Sequence, residues 1–118
     1  MRLSEHFVRS EFACRCGCGF DTVDHMLIVV LEVVRNHFRR PVLINCGCRC
    51  PDHNRAVGGA QNSQHLVGKA ADIVVDGISP DQVADYIDRI WPDLGGLGRY
   101  RTFTHVDVRG RRARWDNR

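Results

Sequence analysis

No run of residues in this chain approaches the roughly 20 apolar positions that a membrane-spanning helix needs, so membrane insertion is not expected. The first residues, Met1-Arg-Leu-Ser-Glu-His6, lack an apolar h-region, which predicts cytoplasmic synthesis without a signal peptide. Aromatic residues make up only 8% of the chain and do not interleave with a basic stripe, which argues against nucleic acid as a partner. The net charge of +3 mildly favours an anionic partner, but much of the excess sits in the tail Arg109-Gly-Arg111-Arg112-Ala-Arg114. The stretch Arg111 to Arg118 reads as a solvated end. Internal repeats are missing too, and 118 residues suit one domain over 1–118 with a single modest core. A monomer is the expectation.

What is present alternates between helical and strand patterns. Val23, Met26, Leu27, Val30, Leu31, Val34 and Phe38 recur at helical spacing, predicting an amphipathic helix over about 22–38. Asp21, Thr22 and Asp24 are its candidate caps. Pro41 closes that element, and Val42 to Asn45 reads as a buried strand. A short helical turn is expected over Asp52 to Val57, and a second strand over Ala70 to Val75. Ser79-Pro80-Asp81-Gln82 carries a cap, a proline at the first helical position and a capping-box glutamine. Trp91-Pro92 ends the helix it opens. Gly95-Gly96-Leu-Gly98 reads as a turn, with one or two strands over about 97–109. The fold class is α+β, helices packed on a small antiparallel sheet.

Three residues then carry chemistry. His65 and Asp72 lie seven positions apart, and His105 arrives from a distant strand. Two imidazoles and a carboxylate leave a fourth zinc position for water, as a catalytic site requires, whereas a structural site closes all four. In Thr104-His-Val-Asp-Val-Arg109 the strand period puts His105, Asp107 and Arg109 on one face and Val106 and Val108 on the other. Asp72 opens the polar face of its own strand, opposite Ile73 and Val75. The chain reads as a candidate metal-dependent hydrolase.

Ser63-x-His65-x-x-Gly68-x-Ala70-x-Asp72 resembles the SxHxxGxAxD signature of the LAS-type zinc metallopeptidases. That group includes D-Ala-D-Ala carboxypeptidases, phage L-alanyl-D-glutamate endopeptidases and D,D-dipeptidases, and the Hedgehog signalling domain shares its fold. The resemblance spans roughly residues 40 to 110, and the closing segment is similar to small phage and prophage members. It implies one zinc on His65, Asp72 and His105, a Hedgehog/D,D-peptidase-like fold, and a peptidoglycan stem peptide as partner. It also implies action on the cell wall after release or lysis. Cys46-Gly-Cys-Arg49 stands where the family has an S-G-Y-R-type segment, which makes Arg49 the residue that grips substrate or stabilises the transition state. Ser63 and Gln64 are further candidate substrate neighbours. No base for a serine mechanism is spaced near Ser63.

One departure bears on mechanism. Several family members place the catalytic acid or base three residues before the last zinc histidine, where this chain has Thr102. The nearest carboxylate on the correct strand face is Asp107, expected either to take the water proton or to orient a ligand histidine. A zinc-containing wall-binding module without catalysis is the alternative function.

The six cysteines form two triplets, Cys14-x-Cys16-x-Cys18 and Cys46-x-Cys48-x-Cys50. Three arrangements stay open: a second, structural thiolate-bound metal, disulfides among fifteen possible pairings, or free thiols. Cross-linking of the two triplets in some form is expected. His25 and His53 read as surface residues.

Overall fold

The structure is a computed structural model that describes residues 1–118. Helix α1 (His25–Phe38) begins at Asp24, whose carboxylate accepts the Met26 N–H at 2.8 Å. Asp24 takes the cap over Asp21 and Thr22 because its own N–H is bound to the Gly68 carbonyl at 2.8 Å. Leu27, Ile28, Val30, Leu31 and Val34 form its buried stripe. Helix α2 (Pro51–Ala56) is the short turn expected near Asp52, and α3 (Pro80–Ile90) opens on the Ser79–Gln82 capping box.

Five strands follow the order β1-β2-β4-β3-β5: β1 (Val42–Cys46), β2 (Ala70–Val75), β3 (Gly96–Arg99), β4 (Thr104–Asp107) and β5 (Ala113–Asp116). Neighbours are antiparallel except β3 and β5, which run parallel, so the sheet is mixed. The α+β class holds; the fully antiparallel sheet is corrected by this one edge strand. Helix α1 packs on β1 and β2, and α3 packs on β2, β3 and β4. Between helices and sheet lies one core that includes Phe7, Phe12, Leu31, Ile73, Ile87, Leu97 and Val106.

Two readings of the C-terminal third change. Gly95 to Gly98 was expected to be a turn, yet Gly96–Arg99 is strand β3. Its glycines answer close approach across the sheet: a Cβ on Gly96 would lie 2.1 Å from Asp107 Oδ2, and one on Gly98 2.4 Å from the Trp115 indole nitrogen. The tail is not a solvated end. Ala113–Asp116 is β5, Arg114 binds Asp88 and the Leu94 and Gly95 carbonyls, and Arg118 pairs with Asp81 and Asp116. Two of its four arginines, Arg114 and Arg118, thus pair with acids of α3.

Register explains where chemistry gathers. Cys46 lies opposite Asp72, Asp72 opposite His105, His105 opposite Gly98, and Gly98 opposite Trp115. Because side chains alternate between faces, this row crosses all five strands on the face away from Ile73 and Val106.

Candidate metal centre

His65 reaches the row from a 3-10 turn (Gln64–Val67) that precedes β2. Ser63 caps the turn by accepting the His65 N–H, and Gly68 ends it at φ 70°, a left-handed conformation that glycine adopts without strain. The chain therefore doubles back within seven residues and sets His65 beside Asp72.

The two imidazoles are each held from behind. His65 Nδ1 lies 2.5 Å from the Gly47 carbonyl, to which it donates, so Nε2 carries the free lone pair. His105 Nε2 lies 2.8 Å from Asp107 Oδ2, and its Nδ1 faces Asp72 Oδ1 at 3.0 Å. Asp72 Oδ1 is also 3.3 Å from His65 Nε2, which is buried without a hydrogen-bond partner. Zinc bonds of about 2.0–2.1 Å place neighbouring tetrahedral ligand atoms roughly 3.3 Å apart. Asp72 Oδ1 stands close to that spacing from both His65 Nε2 and His105 Nδ1, and the orphaned His65 nitrogen is what an ion would satisfy.

Electrostatics favour a cation. Burial alone would raise the Asp72 pKa, but His105 and His65 hold it down near about 2. Burial would likewise lower His65, yet Asp72 and Cys46 push it up to about 9. The Asp72 carboxylate thus favours positive charge at this point, which a metal ion supplies while leaving the Nε2 lone pair free to bind it. Cys46 Sγ lies 3.7 Å from His65 Nδ1, and Cys46, His65 and Asp72 form a second possible donor group. The Gly47 carbonyl already occupies His65 Nδ1, which leaves Cys46 flanking the set.

Asp107 has no exposed surface. Its Oδ1 accepts from the Gly96 and Arg109 N–H groups and from Arg109 Nε at 2.9 Å, while Oδ2 accepts from His105 and from Arg109 Nη2 at 2.7 Å. Burial works to raise its pKa, but His105 and Arg109 hold it well below the carboxylate range. It stands at the far nitrogen of His105 from Asp72. The expectation that Asp107 takes the water proton does not suit this geometry: both oxygens are filled and neither lines the cavity. Its contacts are those of the orienting role.

In front of the three donors lies a cavity of about 470 Å³. Arg49, Ser63 and Gln64 line it, as do Tyr100, Phe103 and Trp115. Arg49 is anchored by its backbone N–H to the His65 carbonyl and by Nη1 to Asn54, leaving Nε buried and unpartnered. Tyr100 stacks on Phe103 at 4.3 Å, and the Trp115 indole donates to the Tyr100 hydroxyl at 3.0 Å. No local signal in the sequence marks this aromatic wall. Tyr100 and Phe103 flank the β3–β4 turn, whose proximity to His105 only the register discloses.

A family model described as Peptidase M15 matches residues 5–107. The chain belongs to the M15 peptidase family. No individually curated protein matches it. M15 enzymes are zinc-dependent metallopeptidases, and metal-ligand residue types gather here: Cys46, His65 and Asp72 group within 4.8 Å, and His105 Nδ1 lies 3.0 Å from Asp72. The match includes the N-terminal segment before α1, which the motif-based resemblance left out.

Proposed function

We propose that this M15 protein hydrolyses a peptide bond in the stem peptide of bacterial peptidoglycan, as a carboxypeptidase or an endopeptidase. The observation that carries the reading is that Asp72 Oδ1 lies within 3.3 Å of both His65 Nε2 and His105 Nδ1, at the wall of a cavity that Arg49 also lines. Zinc held by these three residues would supply Lewis acidity and an acidified water. Arg49 supplies a planar cationic donor for a substrate carboxylate or the developing oxyanion. Ser63 holds the His65 turn, and Gln64 offers an amide to the substrate backbone. Asp107, clamped by Arg109, fixes the tautomer and angle of His105 as a positioning residue. The aromatic wall of Tyr100, Phe103 and Trp115 gives the apolar part of a stem peptide a surface to lie on.

A second reading has its own support. Asp72 is the only carboxylate lining the cavity, and Thr102 stands where relatives of this type carry an acid or base. A zinc-containing module that binds the wall peptide without cutting it fits that shortage of proton acceptors. Zinc-loaded protein incubated with purified muropeptides, products read by mass spectrometry, separates the two. Loss of a terminal D-alanine or scission within the stem supports the peptidase and identifies the bond. Binding without any product supports the module. The phage-type resemblance further suggests a protein made in the cytoplasm and released at lysis; secretion from intact cells would contradict that.

A further inference from the structure

The two cysteine triplets do not pair with each other as units. Cys46 flanks the metal centre, and the buried Cys48 thiol donates to the Phe20 carbonyl at 3.1 Å. The remaining four, Cys14, Cys16, Cys18 and Cys50, bring their sulfurs within 4.8 Å of one another. Cys14 and Cys16 are 3.4 Å apart, and Cys16 and Cys50 are 3.7 Å apart. A disulfide needs about 2.05 Å. Four thiolates around a zinc at about 2.3 Å stand roughly 3.8 Å from each other. The 3.4 and 3.7 Å separations are too long for a disulfide and close to those that one tetrahedral ion imposes.

Three of these four sulfurs each face one backbone N–H. The Cys50 N–H points to Cys14 Sγ at 3.4 Å, the His53 N–H to Cys50 Sγ at 3.4 Å, and the Phe20 N–H to Cys18 Sγ at 3.5 Å. Each of these N–H groups can keep its contact when the sulfur it faces ligates a metal. Cys14 is buried while Cys16 and Cys18 are exposed, which leaves an entry path for the ion.

We propose that Cys14, Cys16, Cys18 and Cys50 bind a second, structural zinc ion, closed at four sulfur ligands. Binding releases the four thiol protons to solvent and forms four Zn–S bonds without redox chemistry. The ion joins two segments far apart in sequence. Cys14 to Cys18 belong to the N-terminal segment, whose Phe7 and Phe12 enter the core. Cys50 directly follows Arg49 and caps α2. The clamp therefore fixes the turn that presents Arg49 to the cavity. It holds whether or not the M15 centre cuts peptidoglycan.

The test is metal analysis of the full chain purified with reductant, together with the absorption spectrum of the cobalt-substituted protein. Wild type should carry about two zinc ions per chain, and His65→Ala/His105→Ala about one, with thiolate-to-cobalt charge-transfer bands retained. Cys16→Ser/Cys18→Ser should lose those bands and one zinc, whereas Cys48→Ser should keep both. Should the double cysteine variant fail to fold, the His65→Ala/His105→Ala spectrum decides alone. Absence of thiolate charge transfer in that variant, or a disulfide among the four cysteines in zinc-free wild type, would overturn the proposal.

Discussion

Asp107 takes five contacts from three residues, and only one of them goes to a metal-facing histidine. A carboxylate so placed sets the affinity of the site for its ion. Asp107→Asn should weaken zinc binding about 10- to 100-fold in a chelator competition, with activity recovering as zinc is raised. Unchanged zinc affinity with activity lost even at saturating zinc would make Asp107 a proton carrier after all. Glu32 offers a test remote from the metal. Burial acts to raise its pKa, but the Ser4 hydroxyl, the His6 side chain and the His6 N–H outweigh that and hold it below its usual range. The folded value lies below the unfolded one, near about 4.3, so its stabilisation is complete above that pH and disappears as pH falls through the folded value. Glu32→Gln should cost about 1–3 kcal/mol in urea unfolding at pH 7, with the gap to wild type closing under acid. A gap that stays constant from neutral to acid would refute the linkage.

Among the elements, the 3-10 turn before β2 does most to build the centre. Its closing residue, Gly68, combines φ 70° with a would-be Cβ 2.6 Å from the Thr22 carbonyl oxygen, and its own carbonyl accepts the N–H of Asp24, the cap of α1. Gly68→Ala should therefore destabilise the metal-free protein by about 2 kcal/mol or more, read by urea unfolding. A neutral substitution would mean the turn relaxes freely. Most elements were legible because their signals are local. Strand β2 and the Ser79 capping box lie where composition puts them, since a β-branched run and a cap–proline–glutamine string need no distant partner. Strand β3 was not legible. Its glycines advertise a turn, and the reason for them, an Asp107 carboxylate and a Trp115 indole pressed against the backbone, exists only after the sheet assembles.

At the scale of the whole molecule, the site is a row across the sheet with loops folded over it. The histidines and Asp72 were legible through a motif whose spacing is local, whereas Tyr100, Phe103 and Trp115 join the cavity through strand pairing over longer separations. Strand β5 went unread because Ala113-Arg-Trp-Asp116 is polar and arginine-rich; ion pairs to α3 and a parallel partner in β3 hold it in place. The same long-range closure brings Cys50 to the N-terminal cysteines. The most direct test of this arrangement is a crystal structure of the zinc-loaded protein with anomalous data at the zinc edge. The expected map has an ion at about 2.0–2.2 Å from His65 Nε2, Asp72 Oδ1 and His105 Nδ1, open toward the Arg49 cavity. An ion held instead by Cys46 with His105 unliganded, or no ion beside His65, would contradict the proposed centre.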